Sequence, residues 1–225
     1  MNKLLKVFLY FLGFVIILWV IGRATNAFQY FNAPSSSNEP GIMKGDRFFA
    51  SNLVKPKRLN FICFNTETPE FGKSIWVFRL CVLGGDVVEI RKGHLFVNND
   101  PVDKKLSLIH AYYLPIDEYE RIKDSISIDE DWLPDLTKDS VMLLLEDSYV
   151  KRNKVIAVPL LDPINQEDPW ISKAFSKNWN RDNFGPITVP ADKYFVLGDN
   201  RHNAQDSRYI GFVEKKDYVA TVLWK

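Results

Sequence analysis

A mainly β, antiparallel fold behind one N-terminal membrane-spanning helix is predicted by three observations. The chain opens on a single long apolar run, "LLKVFLYFLGFVIILWVIG" over residues 4–22. Short segments rich in β-branched and aromatic residues then follow one another between turn residues. After a polar, charge-rich loop the chain returns to one more such segment, "YVATVLW".

The apolar run, at about 1.5 Å per residue, approaches the roughly 30 Å hydrocarbon thickness of a bilayer. Its one charge, Lys6, lies near the end and can snorkel to the interface. A cleavable signal peptide is the competing reading, with "ATNA" as a poor cleavage site; the run is longer than a usual signal h-region of about 7–15 residues. An anchor over residues 1–23 is therefore expected. Lys3 and Lys6 precede the span and Arg23 follows it, which favours a cytoplasmic N-terminus with the rest of the chain across the membrane.

Residues 24–40 read as an extended connection, since Pro34 and Pro40 resist helix. Strands are expected in "DRFFASNLV" (46–54), "LNFICFN" (59–65), "SIWVFRLCVL" (74–83), "DVVEI" (86–90) and "HLFV" (94–97). Lys92-Gly93 and Asn98-Asn99-Asp100 are turn chemistry, so 86–102 reads as a hairpin followed by a second tight reversal. Residues 104–180 show no firm period and are expected to form an inserted subdomain of mixed structure, with 24–103 and 181–225 as the β core. From Tyr194 a strand breaks at Gly198 into a loop crowded with Asp199, Asn200, Arg201, Asp206, Ser207 and Arg208. That loop is richer in paired charge than a hairpin turn requires.

Composition bounds the function. A 225-residue chain with 46% hydrophobic residues can bury a sizeable core, and a net charge of +1 argues against a general nucleic-acid binder. The charge is uneven: residues 117–147 hold eleven acidic side chains against three basic ones. The basic remainder suits a protein lying near anionic lipid. Two cysteines, Cys63 and Cys81, make no framework, although a pair between neighbouring strands stays open. The three histidines are scattered in sequence and read as surface or turn residues, so neither a metal nor another cofactor is expected.

Three stretches carry a resemblance. "GDNRHNAQDSR" (198–208) resembles the box "GDNRxNSxDSR" of the type I signal peptidases, membrane-anchored serine proteases that remove signal peptides from exported proteins. "PSSSNEP" (34–40) is similar to their "PSxSMxP", and "FRLCVLGGDVVEIRKGHLFVNNDPV" (78–102) to "KRVxGxPGDxVxIxxGxLyxNGxxv". The resemblance implies a signal-peptidase-like antiparallel β-sheet catalytic domain, a bacterial-type cytoplasmic membrane, and signal peptides or exported preproteins as partners. It places the nucleophile on Ser37 and the oxyanion-hole hydroxyl on Ser35, with Ser36 at a variable position. Arg79, Asp199, Asn200, Arg201, Asp206, Ser207 and Arg208 fall on the scaffold of the site, and Trp76 and Val77 on the substrate-binding strand.

Two departures bear on chemistry. A serine hydroxyl needs a base to take its proton, and the family's lysine at that place is replaced by Phe78. The serine that orients the lysine is replaced by Ala204. Asn38 stands where the family has methionine. Lys73 is a poor substitute, on the opposite face of the strand and roughly 17 Å from Phe78. His202 is chemically suited but has no catalytic counterpart in the family. The expected function is a signal peptidase homologue that keeps its groove and has lost efficient catalysis, holding exported chains or pairing with an active peptidase or the translocation machinery. An active enzyme with a relocated base is one alternative. A non-enzymatic interaction protein of the export pathway, working through the acidic segment 117–147, is the other.

Overall fold

The computed structural model describes residues 2–25, 27–69, 71–126, 135–137 and 139–224. An α-helix over Lys3–Ala24 carries the apolar run, and Lys3–Gly22 is long and apolar enough to cross a membrane. None of that window is buried against the rest of the chain. Its side chains therefore find no apolar cover within the chain, which is consistent with a membrane anchor.

Three antiparallel sheets follow. The largest has the spatial order Gln29–Asn32, Arg47–Ser51, Tyr218–Trp224, Phe61–Thr68, Gly72–Leu83, Lys193–Leu197, Val213–Glu214. The expected strands are present with edges shifted by a few residues. The connection after the anchor is not wholly extended linker, because Gln29–Asn32 pairs with Arg47–Ser51, Gln29 opposite Ala50. Its alternating exposure, with Gln29 and Phe31 half-buried and Tyr30 and Asn32 outward, is that of an edge strand.

The second sheet runs Asn183–Thr188, Val87–Arg91, His94–Val97, Asp100–Pro101. Its two reversals explain themselves locally. Lys92 and Gly93 have φ of 49° and 80°, and Asn98 and Asn99 have 51° and 68°. Positive φ at both central residues matches the right-handed twist of the strands they join.

The third sheet, Val158–Pro159, Ile109–Pro115, Ser140–Glu146, Asp135–Leu136, lies within 104–180. It has its own core of Leu114, Ile122, Val141, Leu143, Leu145 and Val155. The helix Pro169–Phe175 instead packs Ile171 and Phe175 among Val88, Leu95, Phe184 and Phe195 of the other sheets. Most of the acidic run 127–135 lies outside the described residues.

Phe61–Thr68 and Gly72–Leu83 form a long hairpin. Ile62, Phe64, Phe78 and Leu80 enter one core with Val196 and Ala204, while Cys63 enters another with Ala33, Phe48 and Ala220. Cys63 faces Val77, so Cys81 lies four residues further along the partner strand. The cysteines do not pair: both are free and buried. Burial pushes both thiols up to about 12, which keeps them protonated.

Candidate active site

The chain leaves Gln29–Asn32 in a tight excursion over residues 33–46. Ala33 N donates to Asp46 O and Gly45 N to Ala33 O, each at 2.8 Å. Within it Ser35 is exposed, Ser37 half-buried, and Ser36 and Asn38 are buried. Ser35 Oγ donates to Ser37 Oγ at 3.3 Å, long for a hydroxyl pair.

The loop 198–208 holds this excursion from below. Asn200 N donates to Ser37 O at 3.1 Å, and its side-chain amide donates to Ser36 O at 3.3 Å. Asn203 Nδ2 donates to Ser36 Oγ at 3.0 Å. Ser36 is thus more than a spacer between Ser35 and Ser37: it is the buried link that ties the excursion to the loop. Sequence alone ranked it as variable, since nothing local distinguishes it from its neighbours.

Ser37, Phe78 and Ala204 converge on Gly198. A Cβ added at Gly198 would lie 2.4 Å from the Ser37 carbonyl oxygen, 2.4 Å from Ala204 Cβ and 3.3 Å from Phe78 Cε1. Only glycine lets these backbones approach so closely. Phe78 and Ala204 are 5% and 8% exposed and belong to one apolar cluster. Trp76 meets the Phe78 ring edge-on at 6.1 Å.

Beside Ser37 opens a groove of about 480 Å³ whose walls include Phe31–Ser35 on one side and Ser74–Phe78 on the other, with Phe48, Cys63 and Phe71. Among the described residues lining it there is no lysine, histidine or carboxylate. Lys73 is not on its wall: it stands opposite Glu67 in the hairpin.

Three bidentate arginine–carboxylate pairs form the scaffold, joining the sequence-predicted residues in an arrangement the sequence left open. Arg79 grips Asp199 through Nε at 2.6 Å and a second, shorter contact, and donates to Leu59 O at 2.7 Å. Arg208 grips Asp206 at 2.9 and 2.8 Å. Arg201 grips Asp103 at 2.8 and 2.6 Å. Asp103 escaped the sequence reading because it stands almost a hundred residues from its partner. Asp206 Oδ2 accepts from Gly198 N at 3.1 Å and Ser207 Oγ from Val196 N at 3.0 Å, so the loop also satisfies the strand that feeds it. Burial pushes the Asp103 carboxyl up, but Arg201 outweighs it and the group ends below its ordinary value. Burial prevails at Asp199, which sits above its ordinary value even with Arg79 pulling it down.

The histidines are not scattered in space. His202 contacts His110 at 5.5 Å between ring centroids, and His110 contacts His94 at 6.4 Å. Ala111 N donates to His202 Nδ1 at 3.0 Å, so that nitrogen is bare and the ring proton sits on Nε2, which faces Asp182 at 3.2 Å. Both nitrogens are committed and the ring is 2% exposed, so it has no lone pair to offer Ser37. Sequence reasoning missed this link because its partners come from the third sheet and from residue 182.

Burial holds the His202 pKa below its ordinary value of about 6.5, with Asp182 opposing. The unfolded chain then binds the extra proton first, so stability rises with pH through this window and falls below about pH 6.5. The melting temperature is expected to drop between pH 7.5 and pH 5, and the drop to shrink in His202→Gln. An unchanged drop in that variant would assign the effect to other groups.

The family model for signal peptidase, peptidase S26, matches residues 2–225. Signal peptidase I of Buchnera aphidicola subsp. Baizongia pistaciae is 28% identical, aligned over 99% of this chain and 76% of the relative. Signal peptidase I of Aquifex aeolicus is 29% identical over 91% of this chain and 77% of the relative. A crystal structure of a signal peptidase I from Enterococcus faecalis aligns at 25% identity over 76% of this chain and 98% of that one, with a TM-score of 0.36. Apolar N-terminal helix, antiparallel sheets, serine excursion and arginine-rich loop stand together in a chain matched almost end to end, and it belongs to the signal peptidase family, peptidase S26.

Proposed function

We propose that this chain is a membrane-anchored signal peptidase homologue that retains a groove for signal-peptide-bearing preproteins and lacks efficient hydrolysis. One observation carries the reading: the described residues lining the groove beside Ser37 offer hydroxyls, amides, one thiol and apolar groups, and none of these is a lysine, histidine or carboxylate that could take the nucleophile's proton. In this reading Ser37 is the nucleophile position and Ser35 the oxyanion-hole donor. Phe78 and Ala204 fill the place of the base and its orienting hydroxyl. An attacking hydroxyl must shed its proton as the tetrahedral intermediate forms, and without an acceptor that step loses about 10² to 10⁴ in rate. The scaffold pairs Arg79–Asp199 and Arg208–Asp206 and the strand residues Trp76 and Val77 keep the groove in shape regardless.

Basic residues before the span support an N-terminus in the cytoplasm and the sheets on the extracytoplasmic side of a bacterial cytoplasmic membrane. Residues 104–180 are the inserted subdomain in this reading, and an active peptidase or the translocation machinery is a further partner. In the experiment that tests this, the purified full chain in detergent is mixed with an Ala-x-Ala preprotein. Cleavage is expected to stay at background in both the parent and Ser37→Ala, while a photo-crosslinking preprotein labels both. Efficient cleavage by the parent that disappears in Ser37→Ala would sink the reading and favour a relocated base.

A further inference from the structure

Between the serine excursion and the third sheet the loop 199–203 is bonded to both. On one side Asn200 N donates to Ser37 O at 3.1 Å and Asn200 Nδ2 to Ser36 O at 3.3 Å. On the other, Ile109 N donates to Asp199 O at 3.0 Å, Arg201 N to Ile109 O at 2.9 Å, and Ala111 N to His202 Nδ1 at 3.0 Å. Ile109 begins the strand Ile109–Pro115 of the third sheet. That sheet has its own core, so it can part from this loop without unfolding.

The bond to His202 depends on a proton. A backbone N–H only donates, so Ala111 requires Nδ1 to be bare. A second proton on the ring would set two donors face to face, and the Ala111 amide, in a residue 1% exposed, would be left unpaired away from water. The groups around the ring offer no relief. Asp182 meets Nε2 at 3.2 Å, with Arg181 at 3.8 Å from the same carboxylate, but Nε2 carries its hydrogen in either state. From the third sheet comes His110, its ring 5.5 Å away and held by Asp147 at 2.9 Å. His94 of the second sheet lies 6.4 Å beyond His110. Arg201 of the same loop is taken up by Asp103.

We propose that His202 is a proton-operated latch: with Nδ1 bare it closes the third sheet onto the loop beneath Ser36 and Ser37, and protonation of that nitrogen opens the joint. While the joint is closed, burial holds the ring below its ordinary value. An opened ring regains that value, about 6.5. Acid therefore traps the open form, whose population gains about thirtyfold between pH 7.5 and pH 5. The opening is local and costs less than global unfolding. It reaches the site through Asn200, which stands between the bonds to Ile109 and the bonds to Ser36 and Ser37. The inference needs no peptide in the groove and goes beyond the reading above.

The test is hydrogen exchange by mass spectrometry on the full chain in detergent at pH 7.5 and pH 5, each rate divided by the intrinsic rate at that pH. Fragments carrying the amides of Ile109, Ala111 and Arg201 report on the joint. A fragment carrying Leu80 N, bonded to Asn60 O at 2.8 Å, reports on the core. Protection of the joint is expected to fall about thirtyfold from pH 7.5 to pH 5 and to lie below that of Leu80 at both. In His202→Asn, whose amide oxygen takes the place of Nδ1 and does not titrate, the fall should vanish. A parent without the fall, or a fall of equal size in His202→Asn, would overturn the proposal. So would joint amides as protected as Leu80 at both pH values, since the joint would then open only on global unfolding; that comparison needs no variant.

Discussion

Phe78→Lys combined with Ala204→Ser is expected to bring Ser37-dependent cleavage of an Ala-x-Ala preprotein above background. Positioned general-base catalysis supplies about 10² to 10⁴ in rate, which sets the size of the gain. The geometry favours it: the ring of Phe78, the methyl of Ala204 and the Ser37 carbonyl all close on Gly198 within 3.3 Å of one point. An amine on the strand at position 78 would enter the same apolar cluster as Ile62, Phe64 and Val196. There desolvation lowers a lysine from its ordinary value of about 10.4 towards a neutral, proton-accepting amine. The hydroxyl at 204 would hold that amine without adding charge. Phe78→Lys alone should do less, because an unheld amine keeps its water and its proton. A folded double variant that leaves the preprotein uncut, measured beside its own Ser37→Ala control, would place the defect in the groove, where Asn38 is the first suspect.

Arg201→Met is expected to destabilise the chain by about 3–5 kcal/mol, the usual cost of stranding one partner of a buried ion pair. The arginine is 3% exposed in its side chain and Asp103 8%. Removing it leaves a buried carboxylate that still accepts from Leu95 N at 2.7 Å and has no cation. Arg201 Nε also donates to Gly198 O at 3.2 Å, so the loss reaches the point where Ser37 and Phe78 meet. For a chain of this length the melting temperature should fall by on the order of 10 °C. Arg58→Met, which breaks the exposed pair with Asp86, should cost less than about 1 kcal/mol. Similar losses in the two variants, followed by thermal melting, would refute the distinction.

The two departures from the family pattern, Phe78 and Ala204, were legible one residue at a time, because a motif fixes residue identity at a spacing. What could not be read was their company. Ser36, Asp103 and Asp182 act through partners 167, 98 and 20 residues away, and no local pattern reports such distances. The strand at Gln29–Asn32 was hidden for a related reason. A four-residue edge strand has too few alternations to register, and it exists because Arg47–Ser51 returns alongside it.

The sequence by itself determined the apolar helix, the alternation that makes the antiparallel strands, the glycine and asparagine turns that reverse them, and the absence of lysine at position 78. Each of these is set by the chemistry of a few adjacent residues. Only the tertiary structure decided that His110 and His202 share one buried cluster, that Cys63 and Cys81 stay apart, and that the buried Asn38 ties the serine excursion to Val77 O of the long hairpin. Burial and hydrogen-bond partnership depend on which distant segments fold against each other, and they govern whether a polar side chain is an idle surface group, a structural link or a contact for a ligand.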